Sequence, residues 1–141
     1  GVVGSIGWQK GWNIVKQLCE EIDSHRLPYR VTVIGAMVPN FSADCLNVTG
    51  RYERTALASA IEQSNANIFL FPSIWPETFS YVAHELMACG VPLCCFNLGA
   101  PAEAVANYSN GLILGDATSP SRLLAQMEDF RAQLFSRREG E

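Results

Sequence analysis

Two kinds of apolar pattern alternate along the chain. Short continuous runs rich in Val, Ile, Leu and Phe predict six strands, at residues 2–3, 29–34, 46–49, 68–71, 92–96 and 112–114. Between them, apolar residues recur at helical spacing and predict helices that begin at Trp12 and then cover residues 53–63, 79–88, 102–106 and 119–135. This repeated strand–helix–strand order predicts a parallel sheet with helices on both faces.

Right-handed crossovers between such strands give a three-layer, doubly wound, Rossmann-like α/β fold. The 141 residues are enough for one domain, which we expect over residues 1–135, followed by a polar tail at residues 136–141 that frays. The first residues, Gly1-Val2-Val3-Gly4, have the composition of the inside of a strand. We therefore expect a further domain upstream of this chain.

Charge and cysteine usage narrow the partners and the compartment. The net charge of −4 provides no basic field for nucleic acid or an anionic membrane, and no apolar run approaches the roughly 20 residues of a membrane span. Peripheral membrane association of the full protein stays open. The five cysteines include no CxxC pair and lie in apolar segments, which predicts free, buried thiols and a cytoplasmic location.

Ligands of doubly wound sheets bind at the carboxyl ends of the strands. The loops predicted at that edge are rich in Gly, Ser or Pro and cover residues 4–10, 35–38, 50–52, 73–78 and 97–101. Any one of them taken alone is better explained as an ordinary turn.

The loop at residues 73–78 leads into a helix predicted to begin near Thr78. The first backbone N–H groups of a helix have no helical partner and form an anion site, to which Thr78 and Ser80 can add hydroxyl donors. Glu77 also has a simpler explanation, as a carboxylate that complements the helix dipole and contributes about 0.3–1 kcal/mol.

Glu85 lies among apolar residues of the same predicted helix. If both carboxylates are helical, Glu85 is about 80° and roughly 12 Å from Glu77. That is too far for the paired carboxylates of hydrolysis, which need about 5–9.5 Å, but it suits two groups that hold hydroxyls on one elongated ligand. An equally weighted alternative makes Glu85 a solvated or Lys/Arg-paired residue on a helix edge.

Lys10 precedes a predicted helix, where the dipole disfavours a cation. An anionic ligand would remove this conflict, and a mobile surface lysine is the alternative.

Several short motifs occur together and in a fixed order: Lys10-Gly11, Pro72-Ser73, Glu77 and Glu85 with seven residues between them, Met87 to Pro92, Gly99 to Glu103, and Asn110-Gly111. With these motifs the chain resembles the C-terminal nucleotide-sugar-binding domain of retaining glycosyltransferases with the GT-B architecture, of the group 1 type. The resemblance covers nearly all of residues 1–135.

The resemblance implies a role for each residue at the carboxyl edge. Lys10 would neutralise the leaving diphosphate and Glu77 would contact the hydroxyls of the donor sugar, which makes these two the catalytic candidates. Glu85 would hold the ribose hydroxyls. The other donor-binding candidates are the phosphate ligands Thr78, Phe79 and Ser80, the base-side residues Arg51 and Tyr52, and the strand-end residues Ser5 and Gly35. Residues 97–100 would border the sugar.

Ser5 departs from the pattern, because many relatives carry an arginine at this position. Stabilisation of the diphosphate would then rest on Lys10. The chain has no Asp-x-Asp motif, and neither His25 nor His84 has metal-ligand spacing. The resemblance therefore implies a nucleotide diphosphate sugar as donor substrate and no metal or other cofactor.

The predicted function is donor binding in a retaining, hexosyl-type transferase that moves a sugar to an acceptor such as a polysaccharide, a glycan or a lipid-linked molecule. The enzyme's own N-terminal domain, absent from this chain, would supply the acceptor site, so the chain alone would be inactive. Two alternatives remain open: half of a nucleotide-sugar epimerase, and a non-catalytic nucleotide-binding domain. A dinucleotide dehydrogenase is disfavoured because no GxGxxG follows a predicted strand.

Overall fold

The computed structural model describes residues 1–115 and 117–140. Its strands are β1 (Val2–Ile6), β2 (Val31–Met37), β3 (Leu46–Val48), β4 (Phe69–Phe71), β5 (Leu93–Phe96) and β6 (Gly111–Leu114). Its α-helices are α1 (Trp12–Ser24), α2 (Leu57–Ser64), α3 (Tyr81–Ala88), α4 (Gly99–Ala106) and α5 (Pro120–Glu139). Single-turn 3-10 helices at Trp8–Lys10 and Arg54–Ala56 precede α1 and α2. In the described residues, no helix has the length and apolar character that crossing a membrane requires.

All the strand pairs are parallel. One sheet has the order β1-β2-β3 and the second has the order β4-β5-β6. The two sheets adjoin at β1 and β4, where the N–H of Leu70 donates to the carbonyl oxygen of Gly1 at 2.8 Å. The spatial order β3-β2-β1-β4-β5-β6 confirms the doubly wound, Rossmann-like architecture of six strands.

Helices cover both faces of the sheet because alternate strand residues point to opposite sides. Helices α1 and α5 cover one face, whose buried strand residues include Val2, Val33, Leu70 and Cys94. Helices α2, α3 and α4 cover the other, whose buried strand residues include Val3, Ile34, Phe69 and Cys95. The predicted three layers are therefore present, with one apolar core on each side of the sheet.

Strand β1 is longer than the sequence pattern predicts, and β2 lies further along the chain, from Val31 rather than residue 29 to Met37 rather than residue 34. Ser5 lies inside β1 rather than in a loop, and Gly35 lies inside β2, opposite Gly4, rather than at a strand end. Gly4 and Gly35 have φ of +126° and +137°, and a Cβ on Gly35 would collide with the carbonyl oxygen of Gly4. The prediction that Gly35 ends a strand is wrong, because this glycine allows two strand backbones to approach closely.

Several helix ends also differ from the prediction. Helix α2 begins at Leu57 rather than at residue 53, after a 3-10 turn, and α4 begins at Gly99 rather than at residue 102. Helix α3 begins at Tyr81 rather than at residue 79, because Ser80 is its N-cap and accepts a hydrogen bond from the N–H of Ala83 at 3.2 Å. Helix α5 continues to Glu139, past the boundary predicted after residue 135, so residues 136–139 are helical. Residue 141 of the predicted tail lies outside the described residues.

The cysteines are free thiols, as predicted. Cys19, Cys94 and Cys95 are buried, but Cys45 is half-buried and Cys89 is exposed at the end of α3. The prediction that all five are buried is therefore wrong.

Candidate functional site

Four connections meet the carboxyl edge of the sheet, and together they carry most of the predicted site residues. They are the 3-10 turn Trp8–Lys10 after β1, the segment around Arg54–Ala56 after β3, the loop between β4 and α3, and the start of α4 after β5. The site is consequently assembled from both three-stranded halves of the molecule.

The turn that carries Lys10 is attached to the loop that follows β4. The carbonyl oxygen of Gln9 accepts hydrogen bonds from the N–H of Ile74 at 3.1 Å and from the hydroxyl of Ser73 at 3.3 Å. Ser73 is buried, and a Cβ on Gly11 would collide with the backbone of Pro72. The Lys10-Gly11 and Pro72-Ser73 motifs are therefore two sides of one contact, in which Gly11 permits the approach.

Lys10 and Glu77, the two predicted catalytic residues, form an ion pair between Nζ and Oε1. The side chain of Glu77 is 10% exposed and that of Lys10 is 50% exposed, so the pair opens to solvent on the lysine side. A cation with this much freedom can turn toward an arriving anion while remaining beside the carboxylate.

Glu77 lies in the loop, four residues before α3, so it does not share a helix with Glu85. The distance of roughly 12 Å between the two carboxylates, which assumes that both are helical, therefore does not apply. Its carbonyl oxygen accepts a hydrogen bond from the N–H of Ala100 at 2.9 Å, and a Cβ on Gly99 would collide with the Glu77 backbone. The start of α4 thus holds the backbone of Glu77, while Lys10 pairs with its side chain.

Ser80 is buried and caps α3, so its hydroxyl oxygen is already an acceptor for a backbone N–H. Thr78 and Phe79 are exposed in the loop. The ring of Phe79 stacks on that of His84 with centroids 4.5 Å apart, which accounts for His84 as a packing residue. The backbone N–H groups at the start of the helix are consequently those of Tyr81 and Val82, slightly further along than predicted.

Glu85 forms an ion pair with Arg54, whose Nε lies 2.6 Å from Oε1. The arginine Cζ lies 4.6 Å from the ring centroid of Tyr81, in a cation–π contact. Glu85 is thus paired with an arginine on a helix edge, one of the two arrangements that the sequence left open.

Tyr52 is half-buried beside this pair and packs against the core. Burial and the nearby Glu85 carboxylate raise the pKa of its phenol, and Arg54 partly opposes the rise. The ring is therefore at the site, and its half-buried position leaves part of it accessible to a ligand.

The remaining predicted residues lie in unequal settings. Ser5 and Arg51 are exposed, whereas Gly35 is buried. The N–H of Gly35 donates to the Thr49 hydroxyl at 3.2 Å, and its carbonyl oxygen accepts from the N–H of Gly50 at 2.8 Å. With both backbone groups engaged, Gly35 shapes the edge of the sheet and has no free group for a ligand.

Arg54 is the site residue that sequence reasoning missed. The segment around it was predicted as the first turn of a helix, where an arginine is read as a solvated side chain. The signal was present nonetheless, because a cation at a helix start opposes the dipole, as for Lys10.

Across residues 1–115 and 117–140, no cluster of three or more His, Cys, Asp or Glu side chains is placed to hold a metal ion. A cavity of about 550 Å³ is present, but its lining includes Gly1, Val31 and Ile68, which lie at the amino ends of the strands. It is therefore at the opposite edge from Lys10 and Glu77.

Two comparisons with known proteins add to this geometry. Residues 1–133 match the family described as Glycosyl transferases group 1. Spore coat protein SA of Bacillus subtilis (strain 168) is 30% identical over 84 residues, which cover 54% of this chain and 22% of that protein. The matched part of the chain thus spans about a fifth of the length of this relative.

Proposed function

The chain belongs to the family of group 1 glycosyl transferases, and we propose that it is the part of such an enzyme that binds the sugar donor. The donor is a nucleotide diphosphate sugar, and the sugar passes to a polysaccharide, glycan or lipid-linked acceptor. The observation that carries this proposal is the Lys10–Glu77 ion pair beside the start of α3, with Glu85 one turn into the same helix.

Lys10 and the first N–H groups of α3 bind the diphosphate. Lys10 is half exposed and has one carboxylate partner, so it can contact a phosphate without losing Glu77. The N–H groups of Tyr81 and Val82 add the partial positive charge of a helix N-terminus. As the bond between the sugar and the diphosphate breaks, these fixed donors stabilise the charge that grows on the leaving group, and no metal is needed.

Glu77 holds the hydroxyls of the sugar. It is an acceptor of hydrogen bonds and is largely buried, so a sugar hydroxyl that donates to it does so in a water-poor setting. The start of α4 fixes its backbone through Ala100, which keeps the carboxylate in place during transfer. We further propose that the transferred sugar is a hexose and that its anomeric configuration is retained.

Glu85 holds the ribose, and the base lies toward Arg51 and Tyr52. Glu85 and Tyr52 are neighbours, and both adjoin the loop that follows β3. A nucleotide that extends from the start of α3 toward this loop places its ribose between its phosphates and its base, as nucleotide geometry requires.

The enzyme's N-terminal domain would cover this edge and supply the acceptor site, so this chain alone should bind donor but transfer no sugar. Large apolar side chains exposed at the edge support such a partner: Trp8, Ile74, Trp75, Phe79, Tyr81 and Leu98. A cytoplasmic location belongs to the same proposal, and peripheral membrane association of the full protein stays open.

Calorimetry with a panel of nucleoside diphosphates and their sugars tests the proposal. At least one diphosphate should bind, and Glu85→Ala should weaken it by about 1.5–3 kcal/mol, the range for hydrogen bonds to charged groups. Glu62→Ala, an exposed carboxylate on α2, is the matched control and should bind like the parent chain. Absence of binding by any diphosphate at millimolar concentration would rule out donor binding by this chain.

A further inference from the structure

Arg54 is already held beside the first turn of α3. Its Nε donates to Glu85, and its guanidinium lies over the ring of Tyr81, the first residue of the helix. These two contacts hold the guanidinium beside the first turn of α3 before any ligand arrives. Such preorganisation reduces the loss of side-chain conformational entropy when a ligand binds the guanidinium.

The terminal nitrogens of Arg54 remain available for a ligand. A guanidinium has five N–H donors, and only Nε has a hydrogen-bond partner among the residues that the structure describes. The side chain is 66% exposed. The planar fork of two terminal nitrogens matches the oxygens of a phosphate and can bind two of them at once.

The charges of the candidate site also call for a second cation. Lys10 is neutralised by Glu77, and Arg54 is neutralised by Glu85, so the four side chains sum to zero. A diphosphate brings at least two negative charges into this setting. In the proposed donor site only Lys10 and the partial charge of one helix N-terminus are assigned to the phosphates, since Arg51 is assigned to the base.

We propose that Arg54 is a phosphate-binding residue, the second cation on the donor's diphosphate beside Lys10. This inference rests on the proposed function and deepens it. Nε keeps its bond to Glu85 while the terminal nitrogens donate to phosphate oxygens. One guanidinium then links the ribose-binding carboxylate to the phosphates, and the chain has a cation at this site although Ser5 carries none.

A different role must be separated from this one. Arg54 could act only through Glu85, by holding the carboxylate that binds the ribose. Loss of Arg54 would then weaken a nucleoside, its monophosphate and its diphosphate to a similar extent. A phosphate contact predicts instead that the loss grows with the number of phosphates.

The experiment is calorimetric titration of the chain with uridine, adenosine and guanosine diphosphates, and then with the monophosphate and the nucleoside of whichever base binds. The variants are Arg54→Ala and Arg54→Lys. Arg131→Ala is the matched control, because Arg131 also pairs with a glutamate but lies on α5, among residues at the opposite edge of the sheet.

We expect Arg54→Ala to weaken the diphosphate by about tenfold or more, the size of a lost charge-assisted hydrogen bond, and the nucleoside by less than about twofold. Arg54→Lys should restore part of the loss, since it keeps the charge without the planar fork. Arg131→Ala should leave all three affinities unchanged.

Equal losses for all three ligands, or no loss for the diphosphate, would overturn the phosphate role and leave donor binding intact. If the parent chain binds none of the diphosphates, the proposed function fails first, and the role of Arg54 fails with it.

Discussion

The unequal burial of the Lys10–Glu77 pair has a measurable consequence for single residues. Glu77 is nearly buried and Lys10 is half exposed. Removing Lys10 therefore leaves an unpaired carboxylate that water reaches poorly, whereas removing Glu77 leaves an unpaired lysine that water reaches well. Lys10→Met leaves a carboxylate without its cation in a water-poor position, which costs about 1–3 kcal/mol of the free energy of unfolding. Glu77→Gln leaves a lysine that water solvates, at a cost of less than about 1 kcal/mol.

Urea denaturation of the two variants at pH 7 measures this asymmetry. Lys16→Ala, which breaks the exposed Lys16–Glu20 pair on α1, gives the cost of losing a solvated ion pair, about 0.3–0.5 kcal/mol. If Glu77→Gln lowers the free energy of unfolding as much as Lys10→Met does, burial of Glu77 does not make its carboxylate more dependent on the ion pair than the lysine is.

At this scale the sequence predicted both members of the pair but not the pair itself. Lys10 and Glu77 are 67 positions apart, and each was singled out by its own conflict or its own motif. Their contact depends on Gly11 packing against Pro72, which requires the folded chain. Arg54 was missed because its partner Glu85 is 31 positions away and no local pattern joins them.

Among the elements, α3 connects the stability of the domain to its proposed phosphate site. Ser80→Ala removes the N-cap and should lower the free energy of unfolding by about 1 kcal/mol. It should also weaken binding of the nucleoside diphosphate, because the N–H groups of the first turn are then less well ordered. Ser80→Thr keeps a hydroxyl and should recover both properties.

Ser119→Ala is the matched control, since Ser119 caps α5 through the N–H of Arg122 at 3.3 Å. Denaturation should show a similar loss of stability, and calorimetry should show no change in diphosphate affinity. Equal effects of the two cap variants on affinity would mean that the first turn of α3 has no special part in binding.

Gly35 and Gly50 show two different reasons for a glycine in and beside strands β1 to β3. One reason is a positive φ, and the other is close contact with a neighbouring backbone. At Gly50, with φ of +89°, an added Cβ meets nothing within 4 Å, so Gly50→Ala carries only the backbone strain of roughly 1–2 kcal/mol. At Gly35 the same strain is joined by a collision with Gly4, which adds about 1–3 kcal/mol.

Thermal or urea unfolding of the two alanine variants should therefore rank Gly35→Ala as clearly the less stable. Equal losses would indicate that β1 moves aside at little cost and that the close approach of the two strands is not required.

The element boundaries show where pattern reasoning stops. Order and type of the strands and helices follow from apolar spacing, because both faces of the sheet are buried and the strands read as continuous apolar runs. The ends of β1, β2 and α3 do not follow. The glycines in β1 and β2 are of a residue type that usually indicates a loop, although they lie in paired strands. Phe79 fits the apolar spacing of α3, although it precedes the N-cap residue Ser80.

For the whole molecule, the central question is whether its two helical layers, one on each face of the sheet, unfold together. The candidate site joins the two three-stranded sheets, because Lys10 follows β1 and Glu77 follows β4, and these strands adjoin through the hydrogen bond from Leu70 to Gly1. Each face has its own apolar core, with Cys94 in one and Cys95 in the other, on the same strand β5. These neighbouring thiols are built-in reporters of the two cores.

Burial raises the pKa of Cys94 to about 12 and that of Cys95 to about 11. A raised pKa means less thiolate at pH 8, and the thiolate is the form that reacts, so both thiols should be inert in the folded chain. Cys89 is exposed and should be alkylated first, as an internal standard. Mass spectrometry of peptides after iodoacetamide treatment distinguishes the three sites.

If the chain is one cooperative unit, increasing urea should make Cys94 and Cys95 reactive with a single midpoint that matches the loss of helical circular dichroism. A saturating nucleoside diphosphate should delay both together, because a ligand that binds only the folded state stabilises all of it, by about 2.7 kcal/mol at a hundred times Kd. Protection of Cys95 that outlasts that of Cys94, or the reverse, would show that one helical layer opens independently. In that case a donor held by α3 would stabilise the face of α2, α3 and α4 without stabilising the face of α1 and α5.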